Sequence, residues 1–314
     1  MFRVHRIAKT ARVALVSVIC AAAAALASCL WQRDGVCPER VQIVVPTGKT
    51  FAPEIIAHGG YTCGVIKDGG DDPDITTGSE VCARVRLLAG DGDIRFLAGD
   101  GVGTITLPGM KLPVGEAAIN PVPRQMIEQA VRQVFPTRAA EVTVSIPGGV
   151  ELAKKTFNPR LGVVGGLSVL GTTGVVHPMS EEALKETIRL ELSIRRNQGV
   201  DAIGLVFGSQ SETAAATLFP GLQTVQMSNF VGFALDSAAE LGFSRVILLG
   251  QPGKLVKVSG GSMQTHSQYG DGRRETLMAH LALMGAPLNL LEFVHQSVTL
   301  DGCIVPIHEA GFDA

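Results

Sequence analysis

The chain has 314 residues and nearly balanced charge, with 27 basic and 29 acidic side chains. At roughly 100–200 residues per domain this length predicts two domains, and the charge balance excludes binding of nucleic acid through a broad basic surface. Glycine supplies 37 residues while aromatic residues make up 5%, which disfavours a helical bundle and a base-stacking surface. We expect an α/β enzyme with many loops.

The first predicted element is an alanine-rich helix with two interpretations. Basic residues precede an apolar run from Val13 to Ala27, which closes with Leu26-Ala27-Ser28-Cys29. Basic residues followed by an apolar run and a terminal cysteine are typical of a bacterial lipoprotein signal peptide. The apolar run is equally typical of a buried core helix. A membrane-spanning helix needs a longer apolar run. The six cysteines form no Cys-x-x-Cys pair and no Cys/His cluster at zinc spacing. We therefore predict reduced core thiols and no metal site.

The next part of the chain is predicted to be rich in strands. Between Val41 and Leu107, short β-branched runs alternate with turn pairs such as Asp91-Gly92, which predicts a meander of antiparallel strands. A helix beginning near Pro123, a strand over 141–146 and a glycine-rich stretch over 156–174, interpreted as a buried strand between tight loops, follow. Residues 1–179 are thus predicted to form an α+β domain.

Residues 180–314 alternate between helices and wholly apolar strands. Ser180 is predicted to cap the first helix, and the strands are expected over 202–207, 223–226 and 245–249. Apolar strands that alternate with helices predict a parallel sheet in a small α/β domain. Ligands of such sheets bind at the carboxyl ends of the strands, where the loops that start at Gly208 and Gly250 follow. Neither loop matches a phosphate-binding P-loop.

Two segments carry chemically useful side chains. Aspartates crowd the loop after Lys67, at Asp68, Asp71, Asp72 and Asp74. Such a cluster suits a hard metal ion, a general base or contact with a cation, and a solvated acidic turn is the alternative. Further along, the segment 266–275 leads into a helix and either lines a pocket or merely begins that helix. No Ser/His/Asp triad can be assigned.

Several ordered strings resemble one known family. They are Lys67-Asp68-Gly69-Gly70-Asp71-Asp72-Pro73-Asp74-Ile75-Thr76, Asn120-Pro121-Val122-Pro123-Arg124, the stretch from Thr156 to Gly174, Ser228-Asn229-Phe230-Val231-Gly232-Phe233, Gly253-Lys254-Leu255-Val256-Lys257 and Thr265-His266-Ser267. Together they resemble CbiD, the cobalt-precorrin-5B C-1 methyltransferase family of anaerobic cobalamin biosynthesis. The resemblance covers about residues 35 to 300.

The resemblance implies a function and an architecture. It implies methylation of C-1 of cobalt-precorrin-5B to give cobalt-precorrin-6A, with S-adenosylmethionine as methyl donor and cobalt present only within the substrate. It also implies an α+β domain followed by a small α/β domain with a parallel sheet, with the S-adenosylmethionine and tetrapyrrole site at or near their junction. A cytoplasmic protein that binds neither nucleic acid nor membrane is expected, with neighbouring pathway enzymes as candidate partners. On the basis of this resemblance, the alanine-rich segment is expected to be a core helix.

Motif position within the family assigns roles to individual residues. The catalytic candidates are Asp71, Asp72, Asp74 and His266. The candidates for binding the methyl donor are Gly165, Gly166, Gly171, Thr172, Thr173, Gly174, Gly250 and Gly253. The candidates for binding the substrate are Asn158, Arg160, Lys254 and Lys257. Because methyl transfer to carbon needs alignment of donor and acceptor, positioning should supply most of the rate.

The sequence departs from the family pattern in two places. Residues 10–19 replace a loop of the type Arg-x-Gly-Tyr-Thr-Thr-Gly-Thr-Cys-Ala, and Gln251 stands where many relatives have histidine. These departures keep two alternatives open. One is an inactive or envelope-attached relative that binds a tetrapyrrole, the latter if Leu26-Ala27-Ser28-Cys29 is a true lipobox. The other is a generic nucleotide-binding α/β protein.

Overall fold

In the computed structural model of the chain, residues 17–70, 74–170 and 181–312 are described. The chain divides into two compact units, residues 1–180 and 181–314. In the first unit the helices are α1 (Ser17–Asp34), α2 (Pro121–Val134) and α3 (Gly149–Ala153), and the strands are β1 (Ile43–Val44), β2 (Thr50–Phe51), β3 (Ile56–His58), β4 (Thr62–Ile66), β5 (Glu80–Asp91), β6 (Ile94–Ala98), β7 (Thr104–Ile105), β8 (Arg138–Ser145) and β9 (Val163–Val164).

A five-stranded sheet with the order β3-β4-β5-β8-β6 forms the centre of the first unit. The predicted antiparallel meander is confirmed for β3, β4 and β5. It is wrong for β6, because β8 lies between β5 and β6 and runs parallel to β6. Parallel neighbours need a crossover connection, and helix α2 lies in the connection between β6 and β8. Within the described residues 156–170 the predicted strand is also shorter than expected, since β9 is the strand that forms there, paired with β7.

Helix α1 is the centre of the hydrophobic core of the first unit. Every residue from Val18 to Cys29 is buried, and the helix packs against β4, β5 and α2. Alanine side chains allow this close approach because they add little volume between packed backbones. Ser28, the one polar side chain in this run, accepts a hydrogen bond of 3.0 Å at its Oγ from the backbone N–H of Val85. The prediction of a core helix is confirmed.

The cysteines are free thiols, as predicted. Five of the six are buried and Cys37 is half-buried, and burial raises the pKa of the Cys29 thiol to about 12. A lipidated Cys29 would require removal of Val18 to Ser28, which are buried in the core. Within the described part of the chain, no helix combines the length and the apolar character that crossing a bilayer requires.

The second unit contains a three-stranded parallel sheet with helices around it. Its helices are α4 (Glu181–Asn197), α5 (Ser209–Leu218), α6 (Val231–Glu240), α7 (Pro252–Ser259), α8 (Arg273–Leu283), α9 (Leu288–Gln296) and α10 (Asp301–Glu309), and its strands are β10 (Ala202–Val206), β11 (Thr224–Gln226) and β12 (Arg245–Leu249). The strand order is β11-β10-β12 and both pairs are parallel. The chain is therefore a mixed α/β protein, as predicted. Ser180 lies outside the described residues.

Helices α8, α9 and α10 form a separate apolar cluster at the end of the second unit. Its buried centre consists of Leu281, Val294, Leu300 and Cys303. The sequence pattern predicted α8 but not the two helices after it. Their segments are short and separated only by brief turns, so neither carries a long apolar periodicity.

Candidate functional site

The carboxyl ends of the three parallel strands meet at one edge of the sheet in the second unit. The turns that leave this edge carry Gly208 after β10, Asn229 after β11 and Gln251 after β12. Gln251 Nε2 donates a hydrogen bond of 2.6 Å to Oε1 of Gln210 and so joins two of these turns. Ser228 has a φ of 53°, a conformation that residues other than glycine rarely adopt and that concentrates at functional sites.

Lys254, on the first turn of α7, is held by an amide rather than by a carboxylate. Its Nζ donates a hydrogen bond of 2.6 Å to Oδ1 of Asn229, and the Thr265 hydroxyl donates to the same oxygen at 3.0 Å. Burial lowers the pKa of Lys254, and the charges of Lys257 and Arg273 lower it further. The structure thus brings two positive lysines together beside a turn at the carboxyl edge.

Lys257 is a buried cation with neutral partners. It is 6% exposed, and its Nζ donates to the carbonyl oxygens of Gly270 at 2.9 Å and Thr265 at 3.3 Å. Among the residues that the structure describes, no carboxylate lies within ion-pair distance of Lys254 or Lys257. Asp271 interacts electrostatically with Lys257 without forming an ion pair with it, so the charge of the two lysines is only partly compensated. Buried charge that is incompletely compensated is unfavourable, and this pair of lysines therefore favours an anionic ligand.

A cavity of about 410 Å³ opens beside these lysines. Four residues of the predicted site line it: Gly253, Lys254, Lys257 and His266. Arg273, which belongs to the candidate pocket segment 266–275, also lines it, as do Thr299 and Asp301, to which the sequence analysis assigned no role. The structure therefore gathers the predicted site residues of α7 and of the 265–267 segment around one concave surface.

The His266 ring presents a hydrogen-bond donor at this cavity. Its Nδ1 accepts a hydrogen bond of 3.2 Å from the backbone N–H of Gln268. In a neutral imidazole the other ring nitrogen then carries the proton. His266 Nε2–H is consequently suited to donate to a carboxylate or carbonyl oxygen of a ligand.

Arg273 and Asn229 are the principal site residues to which the sequence analysis gave no individual role, although Arg273 lies in the candidate pocket segment 266–275 and Asn229 in one of the family strings. Arg273 Nη2 donates a hydrogen bond of 2.7 Å to Asp271 Oδ2, and the hydrogen bonds from Arg273 lower the pKa of Asp271 to about 2. The sequence carried a signal for Arg273. A basic residue in the first turn of a helix is unfavourable, because the helix dipole is positive at that end, and its presence there indicates another role. Asn229 follows β11 at the carboxyl edge, and its polar side chain there was the corresponding signal.

In the first unit, Asp74 belongs to an ordered ion pair. Lys67 is buried, and its Nζ contacts both Asp74 Oδ2 and Thr76 Oγ1. Asp74 Oδ1 accepts hydrogen bonds from the backbone N–H and the hydroxyl of Thr76, at 2.8 and 2.7 Å. Burial raises the pKa of Asp74, but the bonds from Lys67 and Thr76 outweigh it and the pKa lies below its usual value. Asp71 and Asp72 lie outside the described residues.

The other candidates of the first unit lie in and after the short 3₁₀ helix Asn158–Leu161. Asn158 is buried; it accepts a hydrogen bond of 2.7 Å from Ser168 Oγ and donates one of 3.0 Å to Thr156 Oγ1. Arg160 is half-buried on this helix. These contacts fix Asn158 in the loop, so its amide is a structural element of the candidate region.

The predicted glycines differ in what surrounds them. A Cβ on Gly166 would lie 2.2 Å from the backbone oxygen of Gly101, and one on Gly250 would lie 2.2 Å from the Phe207 ring. Both glycines are therefore needed for close packing. Gly165 is exposed and Gly253 lines the cavity. The remaining candidates, Gly171, Thr172, Thr173 and Gly174, lie outside the described residues.

Comparison with known families agrees with this arrangement. The CbiD family model matches residues 5–178, and the model described as CbiD, C-terminal domain, matches residues 264–314. The latter match includes His266 and Arg273, which line the cavity. Together the two models account for more than half of the chain.

Curated relatives named cobalt-precorrin-5B C(1)-methyltransferase are similar over most of the chain. The protein from Alkaliphilus metalliredigens is 44% identical, over 82% of this chain and 69% of its own length. The one from Photorhabdus laumondii is 45% identical, over 94% and 80%, and the one from Desulfitobacterium hafniense is 43% identical, over 93% and 77%. A solved structure of the cobalamin biosynthesis protein cbiD from Archaeoglobus fulgidus is 25% identical and covers 88% of this chain and 85% of its own, with a TM-score of 0.44.

Proposed function

Because the chain belongs to the CbiD family, we propose that it is the methyltransferase that methylates C-1 of cobalt-precorrin-5B, giving cobalt-precorrin-6A in anaerobic cobalamin biosynthesis. The identity of 43–45% to relatives named for this activity supports the assignment. The cobalt belongs to the substrate. Such an intermediate is processed in the cytoplasm, where neighbouring enzymes of the pathway would supply and consume it.

The observation that carries the proposal is the pair of cations without carboxylate partners at the cavity. Lys254 and Lys257 bond only to amide, hydroxyl and carbonyl oxygens in the described structure. A tetrapyrrole intermediate carries several carboxylates, and charge-assisted hydrogen bonds from lysine are among the stronger ones available to bind them. Lys254 and Lys257 would therefore hold substrate carboxylates, and Arg160 and Asn158 remain the substrate-binding candidates of the first unit.

The methyl donor is proposed to be S-adenosylmethionine, which supplies a methyl group bonded to a sulfonium. The donor would lie against Gly253 and the turn that begins at Gly250, which leaves the carboxyl edge of the sheet. Gly253 fits this role because it lines the cavity without filling it. The donor-binding candidates of the first unit are Gly165 and Gly166, together with Gly171, Thr172, Thr173 and Gly174, which lie outside the described residues.

The side chains of this site would act chiefly by positioning. Transfer of methyl to carbon requires the reacting atoms to meet in line at about 3–3.5 Å, and no covalent enzyme intermediate is needed. Lys254, Lys257 and the Nε2–H of His266 would fix the orientation of the macrocycle. Asp74 is proposed to remain ionised, because its pKa is lowered, and to stabilise developing positive charge together with Asp71 and Asp72.

We assign the two units to the two domains expected of the family. Residues 1–179 would form the α+β domain with the acidic and glycine-rich loops. Residues 180–314 would form the smaller α/β domain whose parallel sheet presents the cationic cavity.

The proposal is tested with purified full-length protein, cobalt-precorrin-5B and S-adenosylmethionine labelled at its methyl group. Transfer of one label to the tetrapyrrole, detected by mass spectrometry, is expected. Binding of the tetrapyrrole without transfer would instead identify an inactive binding relative. Binding of ATP with no affinity for S-adenosylmethionine would favour a generic nucleotide-binding protein.

A further inference from the structure

Three potential metal ligands from β3 and β5 meet on the sheet of the first unit, outside the site proposed above. They are His58 on β3 and Glu80 and Cys82 on β5, and their ligand atoms all lie within 4.8 Å of one another. His58 Nε2 is 2.6 Å from Glu80 Oε1. His58 is partly exposed, whereas Cys82 is buried, so the cluster runs from the surface into the sheet.

The strand register explains why these side chains share a face. Ile56 pairs with Gly64 and Gly64 pairs with Cys82 across the three strands. Side chains two residues apart on a strand point to the same face, so His58, Glu80 and Cys82 lie together. Val81 and Ala83, on the opposite face, belong to the core that packs on α1.

Gly64 on the intervening strand β4 creates the space that the cluster occupies. A Cβ at this position would lie 1.8 Å from Oε1 of Glu80. The Glu80 carboxylate therefore crosses β4 directly above Gly64 on its way to His58. Without the gap at Gly64, the carboxylate could not lie in this position between the imidazole and the thiol.

We propose that His58, Glu80 and Cys82 bind a divalent zinc-like metal ion, with a water molecule as the fourth ligand. Nitrogen, oxygen and sulfur donors in one set suit zinc better than magnesium or calcium, which prefer oxygen. Tetrahedral bonds of about 2.0–2.3 Å place ligand atoms roughly 3.3–3.8 Å apart, so small side-chain rotations suffice. Three bonds to the metal form and the hydrogen bond between His58 Nε2 and Glu80 opens. The Nε2 proton passes to solvent while Nδ1 takes up a proton from solvent, which leaves a neutral imidazole to bind through Nε2, and the Cys82 thiol proton also passes to solvent.

The bound metal would hold the start of β5 in place, next to the acidic loop that follows Lys67. That loop connects β4 to β5, and its end is closed by the hydrogen bond of 2.9 Å from the backbone N–H of Lys67 to the Ser79 carbonyl. Glu80 follows immediately and Cys82 is two residues further. A metal that joins them to His58 ties the start of β5 to β3 and opposes breaking of the hydrogen bond between Lys67 and Ser79.

The experiment is a titration of metal-free full-length protein with Co²⁺, which reports thiolate ligation by a charge-transfer band and is then displaced by Zn²⁺. One equivalent is expected to produce the band. The variants Cys82→Ser, His58→Gln and Gly64→Ala are each expected to weaken binding about 100-fold or more, since displacement even of a supporting group costs 10–100-fold. Gly59→Ala is the matched control, because a Cβ there meets nothing within 4 Å.

If Cys82→Ser fails to fold, His58→Gln still tests the proposal, because the His58 side chain is partly exposed. Zn²⁺ is also expected to slow amide hydrogen exchange in residues 67–79 of the parent protein and not in Gly64→Ala. The proposal is overturned if the parent protein gives no band, if His58→Gln or Gly64→Ala binds like the parent, or if Cys37→Ser abolishes the band.

Discussion

Oδ1 of Asn229 lies 2.6 Å from Nζ of Lys254 and thereby joins the turn after β11 to the first turn of α7. The amide oxygen holds the ammonium group without neutralising it. The full positive charge of Lys254 therefore remains available to an anion in the cavity, while its position is fixed in advance. Such preorganisation reduces the conformational entropy lost when a ligand binds.

Replacement of Lys257 should affect substrate binding more than stability. In Lys257→Met, the desolvation cost of the buried cation is removed, but the carbonyl oxygens of Gly270 and Thr265 lose this donor, so the free energy of unfolding should change little. The same change should weaken substrate binding about 10- to 100-fold, because a charge-assisted hydrogen bond is lost. Urea unfolding and the KM for cobalt-precorrin-5B measure the two effects. Lys49→Met, an exposed lysine outside the cavity, should alter neither, and a destabilised Lys257→Met with unchanged KM would assign Lys257 a structural role.

Binding of the anionic substrate should weaken at alkaline pH. Burial lowers the pKa of Lys254 below the ordinary lysine value of 10.5, so its charge is present at neutral pH and is lost as pH rises through that lowered pKa. Titration of substrate affinity against pH should show this alkaline decline with a midpoint below 10.5. Lys254→Arg keeps its charge and should remove the decline, whereas an unchanged decline in this variant would point to another group.

The ion pair of Asp74 should stabilise the first unit at neutral pH and not in strong acid. Because the folded-state pKa of Asp74 is lowered, its contribution is complete above the unfolded value near 3.8 and disappears as pH falls through the folded value. Asp74→Asn should therefore cost about 1–3 kcal/mol near neutral pH. Urea unfolding curves of parent and variant should converge in acid, and an equal difference at both pH values would contradict the assignment.

Gly166→Ala should destabilise the first unit. The added Cβ would lie 2.2 Å from the backbone oxygen of Gly101, and rotation of a side chain cannot relieve a clash with backbone. We expect a loss of about 1–3 kcal/mol in the free energy of unfolding. Gly59→Ala has free space around the new methyl and serves as control. Loss of methyl transfer at full stability would show instead that Gly166 contacts the donor.

Replacing an alanine of α1 by a larger residue tests whether the core requires small side chains on this helix. Ala23 is 0% exposed, so Ala23→Leu forces extra volume between α1 and its neighbours and should cost about 1–3 kcal/mol. Ala216→Leu, at an exposed position on α5, is the matched change and should be nearly neutral. Equal stability of both variants would mean that α1 is loosely packed.

Local patterns predicted most individual elements, whereas pairing between distant strands was not visible in them. The apolar run of β12 begins and ends where the sequence indicated, at Arg245 and Leu249. The turn pair Asp91-Gly92 suggested a hairpin between β5 and β6. That hairpin does not form, because β6 pairs with β8, which follows only after α2. Helices α9 and α10 are too short for their periodicity to identify them.

The candidate site was predictable to a similar degree. Lys254, Lys257 and His266 were singled out by family motifs, and the structure places them around one cavity. The role of Arg273 depends on its contact with Asp271 and on where α8 begins, which propensity does not determine. The cluster of His58, Glu80 and Cys82 was invisible because its members are brought together by strand register and by the absence of a side chain at Gly64.

The insertion of β8 between β5 and β6 bears on how the protein is made. As the nascent chain leaves the ribosome, β5 and β6 emerge long before the strand that must separate them. Helix α1 emerges before α2 and β8 and cannot pack against α2 until that helix has been synthesised. Such nonlocal pairing slows folding and leaves apolar segments exposed to aggregation in the interim. The alanine-rich composition of α1 limits that exposure, because alanine presents less apolar surface than leucine or isoleucine would.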